Sequence, residues 1–161
     1  MKRTSIILLI TILTLVISSA GFAEDTNDYL IVPAKRVGIF ELGKPVPQAA
    51  FKTLGKPDKY VEPSPGGEGV DTGLYFWKAK LLVKLNDGVK DNNIFQIMII
   101  SPKYKTAKGI GRGSSFEDVK KAYPNGETIE TMDSDFAWNL PGIFFAIDGG
   151  KVSTLGISPE F

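Results

Sequence analysis

The chain of 161 residues contains no cysteine and no histidine. The absence of cysteine excludes a disulfide-stapled scaffold, thiolate catalysis, and zinc or iron–sulfur centres with cysteine ligands. The absence of histidine excludes the Ser-His-Asp triad, histidine general-base catalysis, histidine metal sites and a histidine pH switch. A bacterial lipid anchor is disfavoured as well, because its attachment needs a cysteine. The hydrophobic core must therefore hold this protein together without covalent staples.

An excess of charge of one sign is also missing. The chain has 19 basic and 18 acidic side chains, and it is 43% hydrophobic and 23% charged. This composition excludes an intrinsically disordered chain and a strongly basic nucleic-acid-binding protein. We expect no nucleic-acid partner, because a nearly neutral surface exerts no long-range attraction on phosphates.

The first 23 residues have the order of a secretory signal peptide. A basic pair, Lys2 and Arg3, precedes an apolar run over residues 6–17, and small residues follow. A retained membrane anchor is the alternative, but the run is shorter than the roughly 20 apolar residues that span a bilayer. We therefore expect residues 1–23 to be a cleaved signal peptide. The mature protein would be periplasmic or secreted, with no stable membrane insertion.

Two stretches of the remaining chain follow the same order of residues. The matched positions are Gly38 with Gly109, Gly43 with Gly113, Trp77 with Trp138, Asp87 with Asp148, and Ile100-Ser101-Pro102 with Ile157-Ser158-Pro159. The two copies differ in length in loop-like segments, where a duplicated fold tolerates insertions. We therefore predict an N-terminal tail over residues 24–32, repeat 1 over residues 33–102 and repeat 2 over residues 103–161.

Each copy begins with the signals of a short helix. In the first copy, Pro47 suits the first helical turn and Gly55 suits the end of the helix. In the second copy, Ser115 and Asp118 have the spacing of a capping box, and Pro124 ends the helix. Both copies are therefore predicted to contain one short helix.

After each helix, the apolar residues follow the alternation of β-strands. Residues 74–85 are predicted to form one strand that turns at Asn86-Asp87-Gly88 and returns over residues 94–100. In the second copy, strands over residues 143–147 and 152–157 flank a Gly-Gly turn. The predicted fold class is α+β, with two repeats of a short helix followed by an antiparallel β-meander and with the helices packed on the sheet.

Residues 109–115 form a glycine-rich turn that enters a helix. Backbone amides at such a turn can hold a phosphate, and Arg112 would assist as a candidate binding residue. The segment lacks a Walker lysine and a ribose-binding acid. The competing interpretation is that the glycines serve the geometry of the turn and that Ser115 caps the helix.

Four acidic residues precede the second tryptophan, namely Glu127, Glu130, Asp133 and Asp135. Oxygen-rich loops bind calcium, but this spacing differs from that of an EF-hand loop. The same carboxylates are the basis of an alternative function, a small carboxylate- or divalent-metal-dependent hydrolase. The simpler interpretation is a solvated acidic loop. We expect no cofactor and no resident metal.

Aromatic residues occupy equivalent strand positions in the two copies. The candidate binding residues are Tyr75, Trp77, Phe136 and Trp138. Aromatic side chains on an exposed sheet face make a good protein-binding surface. Because alternate strand residues point inward, core packing is the competing interpretation for at least half of them. The loops over residues 66–73 and 130–135 would complete the candidate surface.

A recurring pattern starts with the glycines of residues 37–43 and continues with the predicted helix. It ends with Leu-Gly-x-Pro in residues 54–58. This pattern resembles the SmpA/OmlA outer-membrane-assembly lipoprotein family and β-lactamase-inhibitor-protein-like domains, and residues 104–119 resemble the same unit. The tandem also resembles uncharacterised exported bacterial proteins. The resemblance covers most of residues 33–159 and implies a helical layer on an antiparallel sheet with non-catalytic work through protein contacts. Tyr123-Pro124-Asn125-Gly126 stands where the family has Leu-Gly-x-Pro.

Together these features predict an exported, non-catalytic binding or interaction module of the bacterial cell envelope. Its expected partner is another protein, and an inhibitor-like role is a special case in which a sheet face covers an enzyme's active site. We do not expect an enzyme, because the usual acid–base and nucleophilic residues are missing. The hydrolase remains the alternative from another class.

Overall fold

The computed structural model describes residues 28–61, 74–77, 81–85 and 93–160. The predicted signal peptide, the loop over residues 66–73 and the turn at residues 86–88 lie outside these ranges. Among the described residues, no helix has the length and apolar character needed to span a membrane.

The described residues form two sheets and two helices. In chain order the elements are β1 (Leu30–Val32), β2 (Arg36–Val37), β3 (Phe40–Glu41), α1 (Gln48–Leu54), β4 (Lys59–Val61), β5 (Leu74–Trp77), β6 (Leu81–Leu85), β7 (Ile94–Ile99), β8 (Lys105–Thr106), α2 (Phe116–Ala122), β9 (Glu127–Ile129), β10 (Phe136–Leu140), β11 (Ile143–Asp148) and β12 (Lys151–Ile157). The α+β class predicted from the sequence agrees with this content.

The larger sheet has eight strands in the order β4-β5-β6-β7-β12-β11-β10-β9. Every neighbouring pair in it is antiparallel. Strands β7 and β12 meet at the centre, where Ile99 pairs with Leu155 and Ile97 pairs with Ile157. Strands β4 and β9 are therefore the two edges of this sheet.

The smaller sheet has four short strands in the order β3-β2-β1-β8. Strand β1 pairs in parallel with β8, so that Leu30 lies beside Lys105. The last three residues of the predicted N-terminal tail thus form a central strand of this sheet rather than a free segment. No strand was predicted there, because pairs and triplets of residues are too short to display alternation.

The two helices begin where the sequence predicts. Pro47 precedes α1 in an extended conformation, and Gly55 ends the helix with φ +81°. Ser115 caps α2, because its Oγ accepts the backbone N–H of Asp118 at 3.1 Å and donates to the Asp118 carboxylate at 2.6 Å. A side-chain cap therefore begins α2, whereas α1 begins after Pro47 without a side-chain cap hydrogen bond.

The prediction of a single strand over residues 74–85 is wrong. The segment contains two strands, β5 and β6, which pair antiparallel with Trp77 opposite Leu81. The chain direction therefore differs between Trp77 and Leu81, and the sequence between these two residues reads Lys-Ala-Lys. This segment lacks glycine, proline, asparagine and aspartate, so no turn residue marked the reversal.

One face of the large sheet carries the hydrophobic core. Strand register places on this face the buried residues Trp77, Leu81, Val83, Leu85, Ile94, Ile97, Ile99, Ile143, Phe145, Ile147, Val152, Leu155 and Ile157. They belong to one continuous cluster that also includes Ile31, Val37 and Phe40 of the small sheet. The sheet is therefore the base of a single core.

Both helices and the small sheet cover that same face. Phe40 of β3 contacts the ring of Trp77 with 5.6 Å between ring centroids. Phe51 of α1 also packs on Trp77, and Phe116 of α2 packs on Trp138. The molecule thus has two layers, with the large sheet in one and the helices and small sheet in the other.

Candidate functional site

The four candidate aromatic residues all lie on the covered face of the large sheet. Tyr75 and Trp77 are two positions apart on β5, and Phe136 and Trp138 are two positions apart on β10. Because strand residues alternate between faces, each pair shares a side. Trp77 is only 1% exposed, and the other three are partly buried against the core. For this set, core packing is therefore the role that the structure displays.

Each tryptophan is fixed by a hydrogen bond to the end of a helix. The indole Nε1–H of Trp77 donates to the carbonyl oxygen of Gly55, just after α1, at 3.0 Å. The indole Nε1–H of Trp138 donates to the carbonyl oxygen of Tyr123, just after α2, at 2.9 Å. Helix C-termini have carbonyls without helical partners, so both indoles satisfy groups that the fold would otherwise leave unpaired.

The other two aromatic candidates complete the same packing. Tyr75 stacks on Trp77 at 5.8 Å, and its ring meets Phe51 edge-on at 5.9 Å. Phe136 meets Phe116 edge-on at 4.9 Å. Each helix therefore rests on one aromatic pair of the sheet. These contacts connect the helices to the large sheet, and they leave little of the aromatic surface available to a ligand.

The glycine-rich turn at residues 109–115 does not form a phosphate cradle. The amides of Gly109 and Ile110 donate to Thr106, and the amide of Gly113 donates to the Val152 carbonyl oxygen. The amide of Gly111 donates to a serine hydroxyl. Since these donors already have partners within the protein, they are unavailable to an anion. The glycines serve the turn, as the competing interpretation proposed.

Arg112 lies on the surface beside this turn. Its guanidinium donates to the carbonyl oxygen of Ile100 at 2.8 Å. The nearby open cleft of about 630 Å³ is lined by Lys108, Gly109, Ile110, Ser114, Asp118, Lys121 and Ala122. Lys108 donates to the carbonyl oxygen of Ala122 at 2.6 Å and lies over the ring of Tyr123. Arg112 and Lys108 therefore each donate to a backbone carbonyl oxygen of the protein.

The acidic stretch is partly a strand and does not form a metal site in the described part of the chain. Glu127 begins the edge strand β9, whose three residues are all exposed. Asp135 accepts the backbone N–H of Gly149 at 2.9 Å and so orders the turn between β11 and β12. Among the described residues, no three acidic side chains come close enough together to hold an ion. Nothing in this geometry adds weight to the hydrolase alternative.

Tyr104 is the most strongly perturbed titratable group among the described residues. Its side chain is 4% exposed and meets the ring of Tyr29 edge-on at 5.3 Å. Burial, with smaller contributions from the charges of Tyr29 and Asp28, raises the pKa of Tyr104 to about 12. Burial also raises the pKa of Tyr123, against a hydrogen bond from Thr106 that lowers it. Both phenols are thus neutral parts of the core at physiological pH.

The opposite face of the large sheet is the best candidate functional surface. On this face, residues paired across adjacent strands form one row that crosses the sheet. Its members are Leu82, Met98, Gly156, Phe144, Asn139 and Glu127. Leu82, Met98 and Phe144 are each partly exposed. In the described part of the chain, both helices and the small sheet pack on the other side, so no described element covers this row.

We call this uncovered side of the large sheet the open face. Its middle is apolar and uncharged. A Cβ on Gly156 would collide with the ring of Phe144, so that ring lies across the neighbouring strand. Ala146 and Thr154 pair beside them and carry no charge. By register, the charged residues on this side are Lys59 and Glu127 on the two edge strands, Lys84 on β6, and Asp148 and Lys151 at the ends of β11 and β12. An apolar centre with a polar rim is the usual composition of a protein-binding surface.

The aromatic candidates and the open face lie on opposite sides of the same sheet. Aromatic residues stand out in a sequence, but in a two-layer fold the largest side chains fill the core. The pattern that indicates the open face is the alternation of inward and outward residues along each strand. Leu82 stands between the core residues Leu81 and Val83, and Met98 stands between Ile97 and Ile99. An apolar residue at such an outward position marks a strand that is apolar on both sides.

Comparison with known proteins finds similarity only at the level of structure. No protein-family model and no curated protein matches the chain. The uncharacterised protein YfeY from Escherichia coli matches 79% of this chain and 98% of its own, with a TM-score of 0.50 and 15% identity. At this identity the match shows a similar fold.

Two longer extracellular or secreted proteins also align with the chain. One is a cysteine-rich secretory protein from Staphylococcus aureus, with a TM-score of 0.47, 12% identity, and coverage of 83% of this chain and 48% of that one. The other is an extracellular protein containing a SCP domain from Bacillus anthracis, with a TM-score of 0.46, 12% identity, and coverage of 80% and 50%. The chain spans about half the length of these two proteins.

Proposed function

We propose that this protein is an exported, non-catalytic module of the bacterial cell envelope that binds another protein through the open face of its large sheet. The observation that carries the proposal is the row through Leu82, Met98 and Phe144. These apolar side chains are partly exposed on a face that no described element covers. Contiguous exposed apolar surface on a stable fold is characteristic of an interaction site.

The proposed partner presents an uncharged apolar surface to this row. Burial of three such side chains supplies the main driving force, because each gains free energy on leaving water. The charges of Lys84 on β6 and Glu127 on the edge strand β9 would then fix the orientation of the partner more than its affinity. A broad sheet fits a broad and relatively flat partner surface.

A tandem repeat explains why the sheet is wide enough for this role. The order helix-then-four-strands occurs on each side of the central β7–β12 pair. Trp77 and Trp138 stand at matching places and make matching hydrogen bonds. One unit of about 60 residues buries too little surface to be comfortably stable alone. We therefore infer that two copies of one unit were joined to give a continuous sheet.

Export and the family resemblance belong to the same proposal. The order of residues 1–23 favours a cleaved signal peptide, which places the work of the protein in the periplasm or outside the cell. The resemblance to SmpA/OmlA-like and β-lactamase-inhibitor-protein-like domains favours function through protein contacts. An inhibitor-like role is the special case in which the open face covers an active site.

The proposal is tested by capture of a partner from crosslinked envelope extract, with mass spectrometry to identify it. Three baits are compared, namely the tagged protein, a Met98→Lys variant and a Lys121→Glu variant. Lys121 is exposed on α2, in the layer away from the open face, so the last variant controls for a change of charge. We expect one saturable partner that the wild type and Lys121→Glu both capture and that Met98→Lys loses.

Either of two results would contradict the proposal. A folded wild-type bait that captures nothing specific removes the protein partner. A partner that Met98→Lys still captures at full yield removes the open face as its binding site. For the inhibitor case, titration against β-lactamases and secreted proteases at micromolar concentration gives a direct answer, and an absence of inhibition rejects it.

A further inference from the structure

We propose that the free edge of β9 accepts an extended basic segment of another protein as a ninth strand of the large sheet. The bound segment would pair its backbone with β9 and place lysine or arginine side chains against the acidic residues there. This inference rests on the backbone edge of the sheet, and Glu127 is the residue that it shares with the row on the open face.

Strand β9 has a strand partner on one side only. It pairs with β10, with Trp138 opposite Thr128 and Ala137 opposite Ile129, and it is last in the order of the sheet. All three of its residues are exposed. Within the described residues no other strand pairs with its outer side. An edge of this kind is a template for a further strand.

The edge lacks several of the features that prevent strand addition. Natural edges are protected by short strands, charged side chains, proline, bulges or a covering element. Strand β9 is short and carries the charge of Glu127, but its residues include no proline or lysine. Residues 127–129 read Glu-Thr-Ile, and their pairing with β10 runs without a register shift. The opposite edge strand β4 differs, because it begins with Lys59 and closely follows Pro57. Strand β9 is therefore the edge strand without a lysine.

The charge around β9 selects the partner. Residues 125–140 contain four carboxylates and no lysine or arginine. Asp135 is engaged with the Gly149 amide, whereas Glu127, Glu130 and Asp133 are exposed. The like charges disfavour pairing of this edge with a second copy of itself, because acidic residues would meet acidic residues. A basic segment meets the opposite charge and gains affinity.

Apolar side chains at the same place favour a mixed sequence. Ile129 is 46% exposed, and Met132, three residues further, is fully exposed. Glu127 and Ile129 are two positions apart, so they lie on the same side of the strand. A strand paired with β9 would therefore place a basic and an aliphatic residue two positions apart. Backbone pairing supplies affinity, and these alternate side chains supply specificity.

The test is fluorescence anisotropy of the purified protein with a labelled nine-residue peptide in which basic and valine residues stand two positions apart. Two control peptides are used. One has the same sequence with alternate backbone amides methylated, and the other has glutamate in place of every basic residue. We expect saturable binding of the first peptide and at least about tenfold weaker binding of both controls.

Variants of the protein locate the site. Ile129→Lys and Glu127→Lys are both exposed substitutions, and each is expected to weaken peptide binding by at least about tenfold. Lys59→Glu on the other edge strand is the matched control and is expected to bind as the wild type does. Circular dichroism and thermal unfolding confirm that each variant is folded.

Three results would overturn this inference. The first is an absence of saturable binding by the basic peptide. The second is equal binding of the methylated peptide, because the contact would then be electrostatic attraction without strand pairing. The third is unchanged binding by Ile129→Lys and Glu127→Lys. Since the sheet-face proposal is tested by Met98→Lys, failure of one does not imply failure of the other.

Discussion

Trp77 and Trp138 make the same hydrogen bond at two places in the molecule. Each indole N–H reaches the carbonyl oxygen of the residue that ends the preceding helix, Gly55 at 3.0 Å and Tyr123 at 2.9 Å. Each ring also packs against a phenylalanine of that helix. The two tryptophans therefore connect the helical layer to the sheet, and their aromatic surface is used inside the fold.

Replacement of either tryptophan by phenylalanine is expected to destabilise the fold. Trp77→Phe removes a hydrogen bond and leaves space in a site that is 1% exposed. We expect it to lower the free energy of unfolding by about 2–4 kcal/mol, and Trp138→Phe, which is less buried, by about 1–2 kcal/mol. Urea unfolding measures both.

Met132→Ala is the control for the tryptophan variants, because Met132 is fully exposed. It should change the free energy of unfolding by less than about 0.5 kcal/mol. Equal stability of the wild type and both tryptophan variants would show that the indole contacts do not hold the layers together.

Substitutions at Gly38 and Gly43 distinguish two causes of lost stability, an unfavourable backbone conformation and a collision of the added side chain. Gly38 and Gly43 have φ of +53° and +75°, a region that L-residues rarely adopt. A Cβ on Gly38 would collide with the carbonyl oxygen of Asp28, whereas a Cβ on Gly43 would meet nothing. Gly43→Ala is therefore expected to cost about 1 kcal/mol, and Gly38→Ala at least about 2 kcal/mol.

Chemical unfolding of the two glycine variants under identical conditions gives the comparison. The difference between them isolates the collision, because both carry the same type of backbone strain. A Gly38→Ala variant as stable as Gly43→Ala would show that the segment around Asp28 moves aside without cost.

The buried phenol of Tyr104 predicts a loss of stability at high pH. Its pKa of about 12 in the folded protein exceeds the value near 10 of an unfolded chain, so folding favours the protonated form. This contribution is fully present below pH 10 and is lost as the pH rises from 10 toward 12. We expect the free energy of unfolding to fall by about 2 kcal/mol between pH 9 and pH 11.5 from this group.

Tyr104→Phe is the matched variant for the pH series, because it keeps the ring and removes the titrating hydroxyl. Its stability should fall less steeply than that of the wild type over the same range. Urea unfolding at intervals of half a pH unit resolves the difference. Parallel profiles for the two proteins would assign the alkaline loss to other groups.

Local sequence signals predicted the elements that depend on local chemistry. The caps of both helices and the strands around the Gly-Gly turn follow from neighbouring residues. The separation of β5 from β6 could not be predicted, because the Lys-Ala-Lys sequence between them has no turn preference. The small sheet could not be predicted either, since its parallel pair joins Leu30 to Lys105, which are 75 positions apart in the sequence.

The site was harder to predict than the fold for a physical reason. A sequence shows that residues alternate between two faces, but which face the second layer covers depends on tertiary packing. Tyr75 and Trp77 are the larger side chains on β5, and they pack beneath α1. The open face consists of smaller or non-aromatic residues such as Met98. Their position on this face can be recognised only once the strand register is known.

The most direct test of binding through the open face is site-specific photocrosslinking in the native host. A photoreactive amino acid replaces Leu82 or Met98 on the open face, or Lys121 on α2 as the control. Binding through the open face predicts that positions 82 and 98 crosslink to one and the same protein and that position 121 does not. Crosslinks to a protein from position 121, with none from positions 82 and 98, would contradict binding through the open face.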